Sequence, residues 1–509
     1  MLTHFGKPLK LAGFSHFFHQ DPMELQNLYN SHGQFIDGAW RPGSESASDM
    51  INPATEISLG KMKSAGAAQV TEAIAAAYEA RASMRALTAW NRSALLRRAA
   101  TLINERAETL GRLVALETGK PVRQAVGEAK ASAESVDWFA DEARRVFGMS
   151  YESRVKGDRY LVQMEPLGVV AAFVPWNFPL LLLARKMAPA LAAGNTLVIR
   201  PSSEAAGATM ALIKCFEDAG FPRGAVNLVV GRPADITPTI MNDPRVVKVS
   251  FTGSVPVGRQ IVEQSAITLK RVSMELGGHA PVIVHADADI DAFAAMAAPG
   301  KFRNAGQVCA SPTRFYVHES IAQEVEDKLV AATRALRVGS PLDDATDLGP
   351  LATRRRREAI EQMIDNAVSG GAKVLTGGAR PQGLDRGYFY EPTWLTQLQP
   401  DASVLNDEPF GPVGTLSTFS TLDQVVTEAN RLPFALAAYV FTRSLTKTHA
   451  TIDRLQAGVI GVNTFVASTA ETPFGGSKDS GYGREGGPNA IRDYLDTKFV
   501  NVAMPADAK

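Results

Sequence analysis

The chain has two cysteines, and their surroundings differ in kind. Cys309 closes the run Lys301-Phe302-Arg303-Asn304-Ala305-Gly306-Gln307-Val308-Cys309, with a glycine shortly before the thiol and a β-rich run, Arg314–Val317, after it. That context predicts a thiol on a turn at a cleft, although a lone cysteine is by default a small buried apolar side chain. Cys215, in Met210-Ala211-Leu212-Ile213-Lys214-Cys215-Phe216, falls on a helical pattern and is expected to pack in a core. A thiolate that attacks a carbonyl carbon creates an oxyanion, and a preorganised donor to it contributes on the order of 3 kcal/mol. Asn177, in Val174-Pro175-Trp176-Asn177-Phe178-Pro179, directly follows a buried strand and can offer its side-chain amide; a turn asparagine between prolines is the plainer alternative. If hydride then departs, a thioester remains, and its hydrolysis needs a general base. Glu275, in Ser273-Met274-Glu275-Leu276-Gly277-Gly278, ends an apolar strand before a double glycine, where a carboxylate is uncommon unless paired or working.

A second feature belongs to ligand binding. Phe251-Thr252-Gly253-Ser254-Val255-Pro256-Val257-Gly258 follows a strand and opens a helix, a turn whose N–H groups and hydroxyl can meet a pyrophosphate. No G-x-G-x-x-G follows a strand, and this turn also reads simply as a helix start capped by serine.

The elements that must hold these residues are an α/β set. From Ala67 to Gly119 apolar residues recur at helical spacing, as at Leu95, Leu96, Ala99, Leu102, Ile103 and Ala107, and Gly119 with Pro121 stops the run. Gln34-Phe35-Ile36-Asp37-Gly38 predicts a first hairpin. Leu167–Val174, Thr196–Ile199, Val226–Val230, Val246–Phe251 and Val272–Leu276 read as buried strands, with helical segments such as Glu204–Ala219 between them. This alternation implies a parallel sheet with crossover helices. A second series starts at Pro281–Val284 and continues through Arg314–Val317 and Thr415–Phe419, with a change of domain near Gly277-Gly278. The polar segments Arg159–Met164 and Thr497–Val502 fit neither sheet and are expected to pair in an extra sheet that joins subunits.

Bulk properties limit the function classes. A chain of 509 residues is too long for one core, so two lobes with a cleft are expected. Lys plus Arg equals Asp plus Glu at 53 each, leaving no overall field to draw the chain onto nucleic acid or an anionic membrane; a small molecule is the expected partner. Two cysteines make no disulfide framework and fit a reducing, cytoplasmic compartment. The apolar stretch Leu167 to Ala184 contains Pro175, Asn177 and Pro179, which argues against a membrane helix. The first 25 residues mix Phe5, Phe14, Phe17 and Phe18 with histidines and read as an extension without a signal-peptide pattern.

These pieces, in this order, resemble the aldehyde dehydrogenase superfamily over roughly Leu28 to Met504. The resemblance implies a Rossmann-like cofactor domain (28–150 and 167–276), a catalytic domain (277–475) and oligomerisation segments (151–166 and 476–509) after an extension at 1–27, in a homodimer or homotetramer. It also implies Cys309 as nucleophile, Asn177 and the Cys309 N–H as oxyanion donors, Glu275 as general base and Lys186 as a proton relay. No metal is implied.

For the cofactor, NAD or NADP, the resemblance brings in Gly253, Ser254, Gly258 and Leu276, with Val255-Pro256 replacing a usual polar pair. Glu408 and Phe410 match the segment that holds the nicotinamide ribose and backs the nicotinamide; Trp176 resembles the residue beside the diphosphate. Where relatives carry Lys-Pro-Ser-Glu for the adenosine ribose, this chain has Arg200-Pro201-Ser202-Ser203, with Glu204 one place on. Losing that carboxylate removes repulsion of a 2′-phosphate, and a guanidinium can bind one, so acceptance of NADP is expected and its preference left open.

Arg185 and Arg303 resemble the substrate-carboxylate arginines of succinate semialdehyde dehydrogenases, and Ser468 or Thr469 would add a hydroxyl. The expected substrate is an acidic semialdehyde, succinate semialdehyde first and glutarate or 2-oxoglutarate semialdehyde next, with a general aliphatic aldehyde as the alternative. Ser311 stands where some relatives carry a second, redox-switching cysteine. A CoA-acylating enzyme or a non-catalytic structural protein are the remaining readings, both opposed by the Cys309, Asn177 and Glu275 set.

Overall fold

The computed structural model describes Tyr29 and residues 33–503; the expected extension over 1–27 lies outside the described residues. The first expected hairpin forms from Gln34–Ile36 and Ala39–Arg41, paired antiparallel. Its turn places Asp37 and Gly38 at φ 52 and 71, the left-handed pair that an Asp-Gly loop supplies. The helical run resolves into Ala67–Ala86, Ala89–Glu105 and Ala107–Thr118, followed by Val122–Glu142. Thr88 and Asn91 exchange side-chain and backbone hydrogen bonds to start the second, and Gly119 at φ 80 ends the third.

The site-bearing elements are β1 (Val169–Val174), α1 (Pro179–Ala193), β2 (Thr196–Pro201), α2 (Ala206–Ala219), β3 (Val226–Leu228), β4 (Val246–Thr252), α3 (Val255–Ser265) and β5 (Arg271–Glu275). The five strands lie parallel in the order β3-β2-β1-β4-β5. The strand order reverses between β1 and β4, so a crevice opens beyond their carboxyl ends, the usual place for a ligand in such a sheet. The hairpin extends one edge, and Gly481–Tyr482 pairs antiparallel with β5 at the other.

The second sheet contains β6 (Ala280–Val284), β7 (Pro312–His318), β8 (Val413–Phe419), β9 (Ala437–Phe441) and β10 (Val459–Val462). Its parallel order is Thr393–Thr396, β8, β7, β6, β9, β10, with Lys373–Thr376 antiparallel at one edge. The chain crosses between sheets at Gly277-Gly278, so the carboxyl end of β5 meets the entry to β6. The two expected orphan strands pair in their own sheet: Arg159–Pro166 runs antiparallel to Leu495–Val502, with Met149–Glu152 as third strand. Among the described residues, no helix is long and apolar enough to cross a membrane.

Candidate active site

Cys309 sits half-buried on the turn before β7. The turn is forced by Asn304, Ala305 and Gly306, three successive residues at φ 51, 54 and 70. A Cβ on Gly306 would lie 2.0 Å from the Gly411 carbonyl, so only glycine lets this turn press onto the loop that carries Glu408. Burial pushes the thiol up to about 12, with the Glu408 and Glu275 charges adding to it; the Ala310 N–H and the Arg185 charge act the other way. Cys215 is a buried side chain of α2, as expected.

Asn177 lies on the loop between β1 and α1. Its side-chain amide donates to the Gln307 carbonyl at 3.1 Å, two residues from the thiol, and one amide proton remains for a ligand. Its own carbonyl accepts from Lys120 at 2.7 Å and from the Asn304 amide at 3.1 Å. Lys120 is in turn ion-paired with Glu128, both buried, and Glu128 also accepts the N–H groups of Leu180 and Leu181 that open α1. The sequence offered no signal for Lys120 and Glu128 beyond their being polar residues inside a helical layer.

Glu275 ends β5, buried, and neither carboxylate oxygen has a hydrogen-bond partner among the described residues. Burial, then the neighbouring Glu485, hold its carboxyl well above the ordinary range; Lys186, Arg484 and Arg185 oppose this. Lys186 on α1 is fully buried and ion-paired with Glu485, a residue to which the sequence assigned no role. The pair spans 299 positions and could not be read from spacing.

The expected cofactor residues lie at or just past the carboxyl ends of β1, β2, β4 and β5, at the start of α3 and on the loop before β8. Trp176 and Phe410 meet edge to face with ring centroids 5.7 Å apart. Glu408 accepts from the Gly278 N–H at 3.2 Å, and burial raises its carboxyl to about 7. A Cβ on Gly277 would come within 2.2 Å of that carboxylate. Gly253 follows β4 and donates to the Glu275 carbonyl, Ser254 stands at the start of α3, and Gly258 packs on the Leu276 side chain. At the end of β2, the Ser202 hydroxyl donates to Glu204, which draws that carboxylate onto Ser202, while Ser203 opens the short turn before α2. The Arg200 Nε and the Thr252 hydroxyl are buried without a partner among the described residues. Orphaned donors along a glycine-lined crevice fit a phosphate-bearing dinucleotide.

Arg185 on α1 is buried. Its guanidinium donates to the Ser468 hydroxyl at 2.9 Å, lies 5.4 Å from the Phe474 ring centroid, and keeps Nε without a partner among the described residues. Arg303 is exposed, 5.3 Å from the Phe178 centroid, and Thr469 is exposed with its hydroxyl turned to Thr472. Ser468, but not Thr469, therefore meets Arg185. The described residues contain no His, Cys, Asp and Glu group able to hold a metal ion.

The fold and site define a two-lobed α/β oxidoreductase with a dinucleotide crevice beside a thiol. The aldehyde dehydrogenase family model matches residues 40–500, and the chain belongs to the aldehyde dehydrogenase family. It is 41% identical to the 3-sulfolactaldehyde dehydrogenase of Pseudomonas putida, covering 92% of this chain and 96% of that one. It is 39% identical to the NADP(+) succinate-semialdehyde dehydrogenase of Escherichia coli, over 94% of this chain and 99% of the relative. Among solved structures, the succinate-semialdehyde dehydrogenase of Burkholderia pseudomallei superposes with a TM-score of 0.91 at 40% identity, covering 94% of this chain and 99% of the other.

Proposed function

We propose that the enzyme oxidises an aldehyde carrying an anionic group at its far end to the carboxylic acid, with NADP accepted as cofactor. Cys309 adds to the aldehyde carbon as its thiolate, its proton having gone to solvent, and the oxyanion is held by the free amide proton of Asn177 and the Cys309 N–H. Trp176, Glu408 and Phe410 would hold the nicotinamide end of a bound NAD(P), with Arg200 and Ser203 at its adenosine end, and the bound cofactor would supply the hydride acceptor. Glu275 then takes a proton from water, which attacks the thioester and releases Cys309.

The observation that carries the substrate class is Arg185: a buried guanidinium with an unused Nε beside the thiol, fixed by Ser468. A buried unpaired charge is costly and calls for an anion. Succinate semialdehyde is the first candidate, glutarate semialdehyde the next. The name of the Pseudomonas putida relative adds a sulfonate as a second kind of distal anion. Steady-state kinetics on succinate, glutarate and sulfonated aldehydes against a neutral aliphatic aldehyde, with NAD and NADP, test the reading. Arg185→Met and Arg303→Ala should raise KM for the acidic substrates far more than for the neutral one. Equal losses on both would sink the anion site, and a hundredfold preference for NAD would sink the cofactor assignment.

The three-stranded sheet, with Phe499, Tyr151 and Met149 exposed on it, supports assembly into a homodimer or homotetramer through this arm. Two free cysteines support a cytoplasmic setting.

A further inference from the structure

α2 starts without a cap of its own. It opens on Ala205, Ala206, Gly207 and Ala208, and none of these has a side chain that can accept from the open N–H groups. The acceptor comes from the far end of another helix, Ala107–Thr118: Glu117 receives the Gly207 N–H on Oε1 at 2.7 Å and the Ala208 N–H on Oε2 at 2.8 Å. A third donor, the Tyr29 hydroxyl, meets the same Oε1 at 2.6 Å, and Tyr29 and Glu117 are both buried. Gly207 makes this convergence possible. A Cβ there would lie 2.7 Å from Glu117 Oε1 and 2.9 Å from the Tyr29 hydroxyl.

Burial, then the Glu117 charge, holds the Tyr29 phenol well above its ordinary range, so it remains a donor. Burial lifts the Glu117 carboxyl to about 7, while Tyr29, Ala208 and Gly207 pull it down. Losing one of these donors therefore tips the carboxylate toward a neutral form with one acceptor oxygen fewer. What the cap fixes is the turn between β2 and α2. Ser202 precedes and Ser203 opens the short turn Ser203–Ala205, which runs directly into the helix. The last turn of α2 is held from the first hairpin, where Trp40 donates its indole N–H to Glu217 at 2.8 Å. Lys120, just past the helix end that carries Glu117, donates to the Asn177 carbonyl. One helix end thus reaches the loops after two neighbouring strands, β1 and β2.

We propose that Tyr29 and Glu117 are positioning residues for the cofactor: the Tyr29 hydroxyl fixes the Glu117 carboxylate as the cap of α2, and the capped helix start holds Ser202 and Ser203 where the adenosine 2′-phosphate of NADP is received. The inference rests on the reading that the end of β2 takes the adenosine ribose. Both residues act through the turn and not on the reacting atoms. Their loss is therefore felt in cofactor affinity, with the chemical step spared.

Tyr29→Phe, which keeps the ring and loses only the hydroxyl, tests this by fluorescence titration with NADPH, inhibition by adenosine 2′,5′-bisphosphate, and steady-state turnover of succinate semialdehyde with NADP. The NADPH Kd, the bisphosphate Ki and the NADP KM should each rise by about fivefold, as one hydrogen bond to a charged group is lost. kcat at saturating NADP and the KM for the aldehyde should stay at their wild-type values. Glu117→Gln should act in the same direction, and the double variant should show less than the product of the two single effects, because both work through one contact. Wild-type NADPH affinity in Tyr29→Phe would overturn the proposal. So would single effects that multiply in the double variant, or a fall in kcat with cofactor binding unchanged, which marks a purely structural contact. Ser203→Glu separates the underlying reading. If it raises the NADP KM while Tyr29→Phe does not, the positioning role falls alone; if it leaves NADP binding unchanged, the adenosine site lies elsewhere and the proposal falls with it.

Discussion

The Asn177 side chain and the Gln307 carbonyl, 3.1 Å apart, tie the loop after β1 to the turn that presents Cys309. One amide proton is spent on this bond, which leaves the other free for a ligand. Asn177→Ala should therefore lower kcat by about a hundredfold or more while leaving cofactor binding intact, because a lost oxyanion donor is felt only in the transition state. Equal kcat in the variant would remove Asn177 from that role.

Lys120 and Glu128 hold the same loop from beneath. Each is the other's buried counter-ion, so removing one strands the other. Lys120→Met should cost about 3–5 kcal/mol in urea unfolding. The double change Lys120→Met with Glu128→Gln should cost less than Lys120→Met alone, since the stranded carboxylate is gone. A double variant that is the sum of two losses would contradict the pairing.

How much of this was legible in the sequence follows from range. Strands such as Leu167–Val174 and Thr196–Ile199 could be read because both faces of their backbone must be apolar or nearly so, a local demand. The hairpin was legible because Asp37-Gly38 accepts positive φ on its own. Cys309, Asn177 and Glu275 each follow a strand or a glycine turn, again local cues. The Lys186–Glu485 pair and the Lys120–Asn177 bond are products of tertiary folding alone, with nothing in the spacing to announce them. Arg185 and Arg303 looked equivalent as residues near the motif, yet one is buried on a helix face and the other projects from a turn; only packing separates them.

The thiol of the free enzyme should be sluggish. With Cys309 pushed up to about 12, the thiolate fraction is small at neutral pH and grows tenfold with each unit of rising pH below that value. Alkylation by iodoacetamide should thus still be accelerating at pH 9. Glu275→Gln deletes a negative neighbour, lowers the thiol pKa and should speed alkylation at fixed pH. A rate already level at pH 7 would show a thiolate stabilised by some other group.

Gly306 tests the nucleophile turn. Its φ of 70 and the 2.0 Å approach of the Gly411 carbonyl leave no room for a methyl group. Gly306→Ala should abolish the burst of reduced cofactor by separating the Cys309 turn from the Glu408 loop. Gly371→Ala, at φ 98 in open space, carries only backbone strain of about 1 kcal/mol and should stay active. Similar activity in the two variants would show that the packed turn is dispensable.

The proposed acceptance of NADP predicts that cofactor choice turns on one position. Glu204 is drawn onto Ser202, Ser203 brings a hydroxyl rather than a carboxylate just past the end of β2, and the Arg200 Nε on that strand is buried without a partner among the described residues. Putting a carboxylate back, in Ser203→Glu, offers an acceptor to the ribose 2′-hydroxyl and sets a negative charge against a 2′-phosphate. The ratio of kcat/KM for NADP to that for NAD should fall by tenfold or more, about 1.4 kcal/mol, mostly through a higher KM for NADP. Arg200→Met should lower the same ratio by removing the phosphate's counter-ion while sparing NAD. If neither change moves the ratio, discrimination lies outside the β2 end and the adenosine ribose is held elsewhere.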